Sequence, residues 1–140
     1  MHPKVARATC FLVSIVWLWP GCGSSPDYLL IGSARAPSAD GIVEVDEIDG
    51  GKALITVHME RLPPPRHLGE GNTVYLVWFE GENGKTLKAG ELAYKQETRT
   101  GDLMKTCPFS KFRLKITAEP KADAARPGGF IVAEQRISID

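Results

Sequence analysis

The sequence predicts an all-β domain, an immunoglobulin-like antiparallel β-sandwich of about seven strands. Three observations predict it. From Asp40 onward, short apolar runs are separated by turn residues at sandwich-like spacing. Asn83-Gly84 is the strongest short hairpin signal a sequence offers. No window sustains a helical period, apart from one turn's worth within Asp123–Arg126. The Cys…Trp…Cys spacing of antibody domains is missing, so the expectation concerns architecture alone, with a small β-barrel as the alternative.

Each element follows from its residues. Residues 23–39 are rich in Gly, Ser, Ala and Pro and read as a spacer, while Tyr28–Ile31 interrupts that composition as a short edge strand docking on the domain. Gly41–Ile48 alternates apolar and acidic residues, and Asp49-Gly50-Gly51 turns the chain into Ala53–Glu60. There Ile55, Val57 and Met59 share one face and Thr56, His58 and Glu60 the other, so the pair reads as a hairpin with one buried side. Leu62-Pro-Pro-Pro-Arg-His-Leu-Gly-Glu-Gly71 lacks the donors of a central strand and reads as an extended crossover between sheets.

Thr73–Phe79 is apolar on both faces and belongs at the centre of the core. Across Asn83-Gly84 it leads into Thr86–Tyr94, and Arg99–Thr106 is a further short strand. Phe112, Leu114, Ile116 and Ala118 alternate with Arg113, Lys115, Thr117 and Glu119, the pattern of a half-buried strand. Residues 120–129 are polar and rich in Ala, Pro and Gly, hence an exposed loop, and Phe130–Ile139 closes the domain.

The N-terminus carries the clearest functional signal. Met1–Arg7 is basic, Ala8–Trp19 is apolar, and Pro20-Gly21-Cys22-Gly-Ser-Ser-Pro26 follows. This is the profile of a secretory signal peptide. Gly21 before Cys22, with a small-residue tether after it, resembles the lipobox of bacterial lipoproteins, although Trp19 and Pro20 stand where that family has Leu and a small residue. The resemblance implies lipidation at Cys22, a membrane held through the N-terminal lipid, and a place in the cell envelope, with Gly23 matching outer-membrane sorting. The alternatives are a cleaved export signal or an uncleaved anchor. An apolar run of about 12 residues is short against the ~20 that span a bilayer. The expected organisation is a signal peptide over 1–21, lipidated Cys22 and flexible tether over 22–39, and a sandwich over 40–140.

Without residues 1–21 the chain keeps 119 residues, 15 of them Lys or Arg against 17 Asp or Glu. A near-neutral domain has no basic excess for phosphate, so no nucleic-acid partner is expected. Cys107 is the only cysteine beyond the N-terminal segment, which excludes an intramolecular disulfide in the domain and fits a small buried residue.

Chemistry is sparse. His58 and Glu60 share a strand face, but no third ligand joins them or His67 at a recognisable spacing, so no metal is expected. Glu44, Asp46, Glu47 and Asp49 lack the order of a calcium loop and read as a polar hairpin. Cys107 and Ser110 have no neighbouring base, and no nucleophile or phosphate-loop motif surrounds them. A non-enzymatic protein without a cofactor is expected. Tyr75, Trp78, Phe79, Phe109, Phe112 and Phe130 read as core rather than ligand groove, and Tyr94 and Arg99 as an exposed binding face.

Asn72-Thr-Val-Tyr-Leu-Val-Trp-Phe79, Lys88-Ala-Gly-Glu-Leu92 and Phe112-Arg-Leu-Lys-Ile-Thr-Ala-Glu-Pro120 together resemble the extracytoplasmic C-terminal domain of anti-sigma-K factors, over about residues 53–135. The resemblance implies a β-sandwich outside the membrane and a sensory or interaction role with an envelope protein partner. It does not imply anti-sigma activity, because the sequence shows neither the sigma-binding helices nor the full membrane span of that family.

Overall fold

In the computed structural model, which describes residues 27–139, the doubly apolar run becomes the hub of the fold. This strand, Val74–Gly81, buries Tyr75 through Phe79 without a break. Nine strands surround and include it in chain order: β1 (Asp27–Ile31), β2 (Asp40–Ile48), β3 (Lys52–Glu60), β4 (Val74–Gly81), β5 (Thr86–Glu91), β6 (Ala93–Lys95), β7 (Thr100–Cys107), β8 (Lys111–Glu119) and β9 (Phe130–Ser138). They form two antiparallel sheets, ordered β1-β2-β3-β7-β6 and β5-β4-β8-β9. Setting β1 aside, these orders are the A-B-E-D and C′-C-F-G sheets of an immunoglobulin-like sandwich. The sheets are packed face to face and are not closed into a barrel. Among the described residues no helix is long and apolar enough to cross a membrane.

Alternation fills the space between the sheets. One sheet contributes Val43, Val45, Ile55, Val57 and Met59, and the other Tyr75, Val77, Phe79, Phe112, Leu114, Ile116 and Ala118. Phe79 and Phe112 meet edge to face at 5.2 Å, as do Tyr75 and Tyr94 at 5.4 Å. Such pairs contribute roughly 0.5–1.5 kcal/mol beyond area burial.

Three regions differ from the sequence-based expectations. Among the described residues the fold already includes Asp27–Ala39, ahead of the expected domain start at Asp40, and the edge strand expected over Tyr28–Ile31 is present as β1. β1 pairs with β2 along its whole length, Leu30 is buried, and Ala36 and Ala39 join the core on the way to β2. The small residues that suggested a free tether instead allow a tight return, because a Cβ on Gly32 would lie 1.9 Å from the Ala36 carbonyl oxygen.

The expected strand Thr86–Tyr94 is divided at Leu92. This buried residue donates its N–H to the Tyr75 carbonyl at 2.9 Å while β6 crosses to pair with β7 in the other sheet. Gly90, at φ 152°, and a register shift opposite Val77/Trp78 accommodate the bend. Residues 121–129 form turns and bends, with no helical turn.

The proline crossover contains a short 3-10 turn, Pro65–Leu68, with proline in its first positions. Prolines leave neighbouring carbonyls without ladder partners, and side chains satisfy them instead. Tyr75 Oη donates to the Pro63 carbonyl, Tyr94 Oη to that of Leu62 at 3.0 Å, and Arg99 Nε to the same Leu62 oxygen at 3.2 Å.

Candidate functional site

Alternation puts His58 on the outer face of the five-stranded sheet, since Val57 and Met59 point into the core. The β3–β7 register sets Asp102 directly opposite it. His58 Nδ1–H donates to Asp102 Oδ1 at 2.5 Å, and Nε2 lies 3.6 Å from Glu60 Oε1. The hydrogen bond to Asp102 holds the imidazole above its ordinary range; partial burial opposes this, and the charges of Asp102 and Glu60 reinforce it. Arg61, at a left-handed φ of 54°, closes the row by pairing with Asp40 and Glu60. Both Asp40 and Glu60 are therefore compensated.

The same face continues onto β2 and β1 with a different character. Leu29 lies opposite Ile42, and Asp27 opposite Glu44 one row further. Leu29 is 69 % exposed and Ile31 73 %. Met104 on β7 is 63 % exposed on the same side. Apolar side chains and carboxylates thus share an open β surface.

The other sequence candidates are scattered. Glu44 and Asp46 project from the outer face of β2, whereas alternation sends Glu47 to the opposite side and Asp49 lies in the turn. Among the described residues, no three or more His, Cys, Asp or Glu side chains converge to hold a metal ion. His67 sits exposed on the 3-10 turn, away from β3. Cys107 is fully buried at the end of β7, and burial pushes its thiol up to about 11, which keeps it protonated at neutral pH. Ser110 is exposed and its carbonyl accepts the Ile139 N–H.

Tyr75, Trp78, Phe79 and Phe112 are buried, with Phe109 and Phe130 at the margins; Arg35 lies over the Phe130 ring at 3.6 Å. Tyr94 is half-buried and Arg99 exposed. Both are committed to the proline crossover, and Arg99 Nη2 also donates to the Arg61 carbonyl at 3.2 Å.

An open cleft of about 680 Å³ lies at one end of the sandwich, lined by Tyr28, Glu80, Glu82, Lys111, Arg113 and Arg136 among others. Glu80 is engaged by Lys115, which holds its carboxyl below the usual range, and Arg113 faces Glu134 at 3.8 Å. With both signs of charge present and partly paired, this cleft selects no clear ligand charge.

Alternation alone missed a second buried layer. Trp78, Thr117 and Glu119 point away from the main core yet are fully or nearly fully buried. Trp78 Nε1–H donates to Thr117 Oγ1 at 2.9 Å, and Thr117 Oγ1–H to Glu119 Oε1 at 2.8 Å. The N–H groups of Gly128 and Gly129 donate to that same carboxylate oxygen, each at 2.9 Å. Lys88, the register partner of Trp78, reaches the carbonyls of Ala122 and Ala124, which draws the 120–129 loop across the indole. The available signal was an unusually apolar β4 combined with a Glu just before a Pro-rich loop.

Comparison of the chain with protein-family models, with curated proteins and with solved structures yields no match. The fold class and the surfaces above therefore define it: an immunoglobulin-like sandwich with one open, mixed apolar and acidic sheet face.

Proposed function

We propose that this chain is a membrane-anchored bacterial envelope lipoprotein presenting a non-catalytic β-sandwich as an interaction module. The observation that carries the reading is the Gly21-Cys22 junction after a basic and then apolar leader. Those residues lie outside the described part of the structure, and Cys22 precedes β1 by five positions. An acylated Cys22 would keep the sandwich within roughly 20 Å of a bilayer, given ~3.5 Å per extended residue. Several acyl chains hold such a protein firmly, at ~0.8 kcal/mol per buried methylene. The buried Cys107 and the contact-type surface around Leu29 fit a module that binds rather than reacts.

Metabolic labelling with palmitate tests the anchor. Label is expected on the natural chain and absent from Cys22→Ser; equal labelling of both removes the claim.

A second reading is an extracytoplasmic sensor domain related to anti-sigma-K factors and acting in trans. It is favoured by the way Trp78, Thr117 and Glu119, residues of the resemblance motifs, act together in one hydrogen-bond chain. Deleting the gene would then change the output of a sigma-dependent reporter, and an unchanged reporter counts against it.

A further inference from the structure

We propose that the outer face of β1 and β2 is a docking site for a basic-apolar polypeptide segment, one in which Lys or Arg alternates with apolar side chains. Leu29 and Ile42 are directly opposed, Ile31 adjoins them, and all three are exposed. An isolated exposed apolar residue is ordinary, whereas adjoining ones on a regular sheet face mark a contact surface. The neighbouring row opposes Asp27 to Glu44. Like charges set opposite one another destabilise a sheet. Neither carboxylate has a hydrogen-bond or ion-pair partner among the described residues. The row therefore presents two adjoining carboxylates that a cationic partner would pair.

The geometry sets the form of that partner. Side chains on one strand face repeat every second residue, about 7 Å apart, so the carboxylate row and the apolar row are one such step apart. An extended segment with a cation two residues from an apolar side chain matches both rows at once. Charge also separates this partner from other occupants. A second copy would bring carboxylate rows close to one another, and an anionic bilayer would repel them.

The inference rests on reading the domain as a binding module, and the two fail separately. Unlabelled Cys22 removes the anchor and leaves this face untouched; absence of peptide binding does the reverse. The full chain in nonionic micelles would be passed over an immobilised Lys-Val repeat peptide and its Glu-Val counterpart. Binding is expected for the Lys-Val peptide alone, weakening about tenfold between low and moderate salt. Leu29→Ser with Ile31→Ser, and separately Glu44→Lys, should each weaken it by about tenfold or more. Glu91→Lys, on the other sheet, should change it less than about twofold. All four positions are exposed, and a native circular dichroism spectrum confirms that the variants fold.

Equal binding of the Glu-Val peptide, or an equal loss from Glu91→Lys, overturns the proposal. So does face-dependent binding to phosphatidylglycerol or phosphatidylcholine vesicles in place of the peptide. Self-association of the chain that Leu29→Ser with Ile31→Ser abolishes would likewise assign the face to a second copy.

Discussion

Burying a carboxylate costs several kcal/mol unless hydrogen bonds replace its water, and Glu119 obtains three at one oxygen. Glu119→Ala would strand two glycine N–H groups and the Thr117 hydroxyl beneath the loop. A loss of about 2–4 kcal/mol is expected by chemical denaturation. Glu119→Gln, whose amide oxygen still accepts, should lose clearly less. At His58 the consequence is a pH dependence. Its folded pKa is raised above the ordinary 6.5, so the pair with Asp102 contributes fully below that value. The contribution disappears as pH rises through the raised folded pKa. Both side chains are close to half exposed, which holds the effect under about 1 kcal/mol. An NMR titration should find Asp102→Asn returning His58 toward its ordinary value. The shared face of His58 and Glu60 was legible from alternation alone. Asp102, 44 positions away, was not, because a register between distant strands leaves no local pattern.

At the scale of elements, β1 separates composition from structure. Its residues sit in a stretch whose Gly, Ser and Pro content describes a linker, yet Leu30 is 1 % exposed and Tyr28 Oη donates to the Ser138 carbonyl at 2.8 Å. Leu30→Ala should cost about 2–4 kcal/mol in a thermal or denaturant melt, whereas a free tether would show no change. Strand identities elsewhere were legible wherever alternation or an Asn-Gly turn was present, as at β3, β4 and β8. The division of Thr86–Tyr94 was hidden, because switching sheets at Leu92 depends on a backbone bond to Tyr75. The pairing of Thr117 and Glu119 with Trp78 was hidden too. Polar residues opposite apolar ones read as solvated until a loop is seen to cover them.

For the molecule as a whole, the sandwich class was legible because turn-separated strands without helical period admit few other architectures. Among the described residues its stability rests on packing, since Cys107 is the one cysteine there. Cys107 is free and buried, so the melting temperature should be the same with and without a thiol reductant. A downward shift on reduction would reveal a disulfide.

β1 has one further consequence, and it is mechanical. It is the outermost strand of its sheet, it pairs with β2 over five residues, Tyr28 and the Gly32-Ser33 turn tie it to β9, and it lies closest in the chain to the proposed anchor. A tug between membrane and partner would peel it away first, while the A-B-E-D and C′-C-F-G strands stayed paired. Paying out Asp27 to Ala39 lengthens the leash by up to about 45 Å, so single-molecule stretching should record a small early extension before the main rupture.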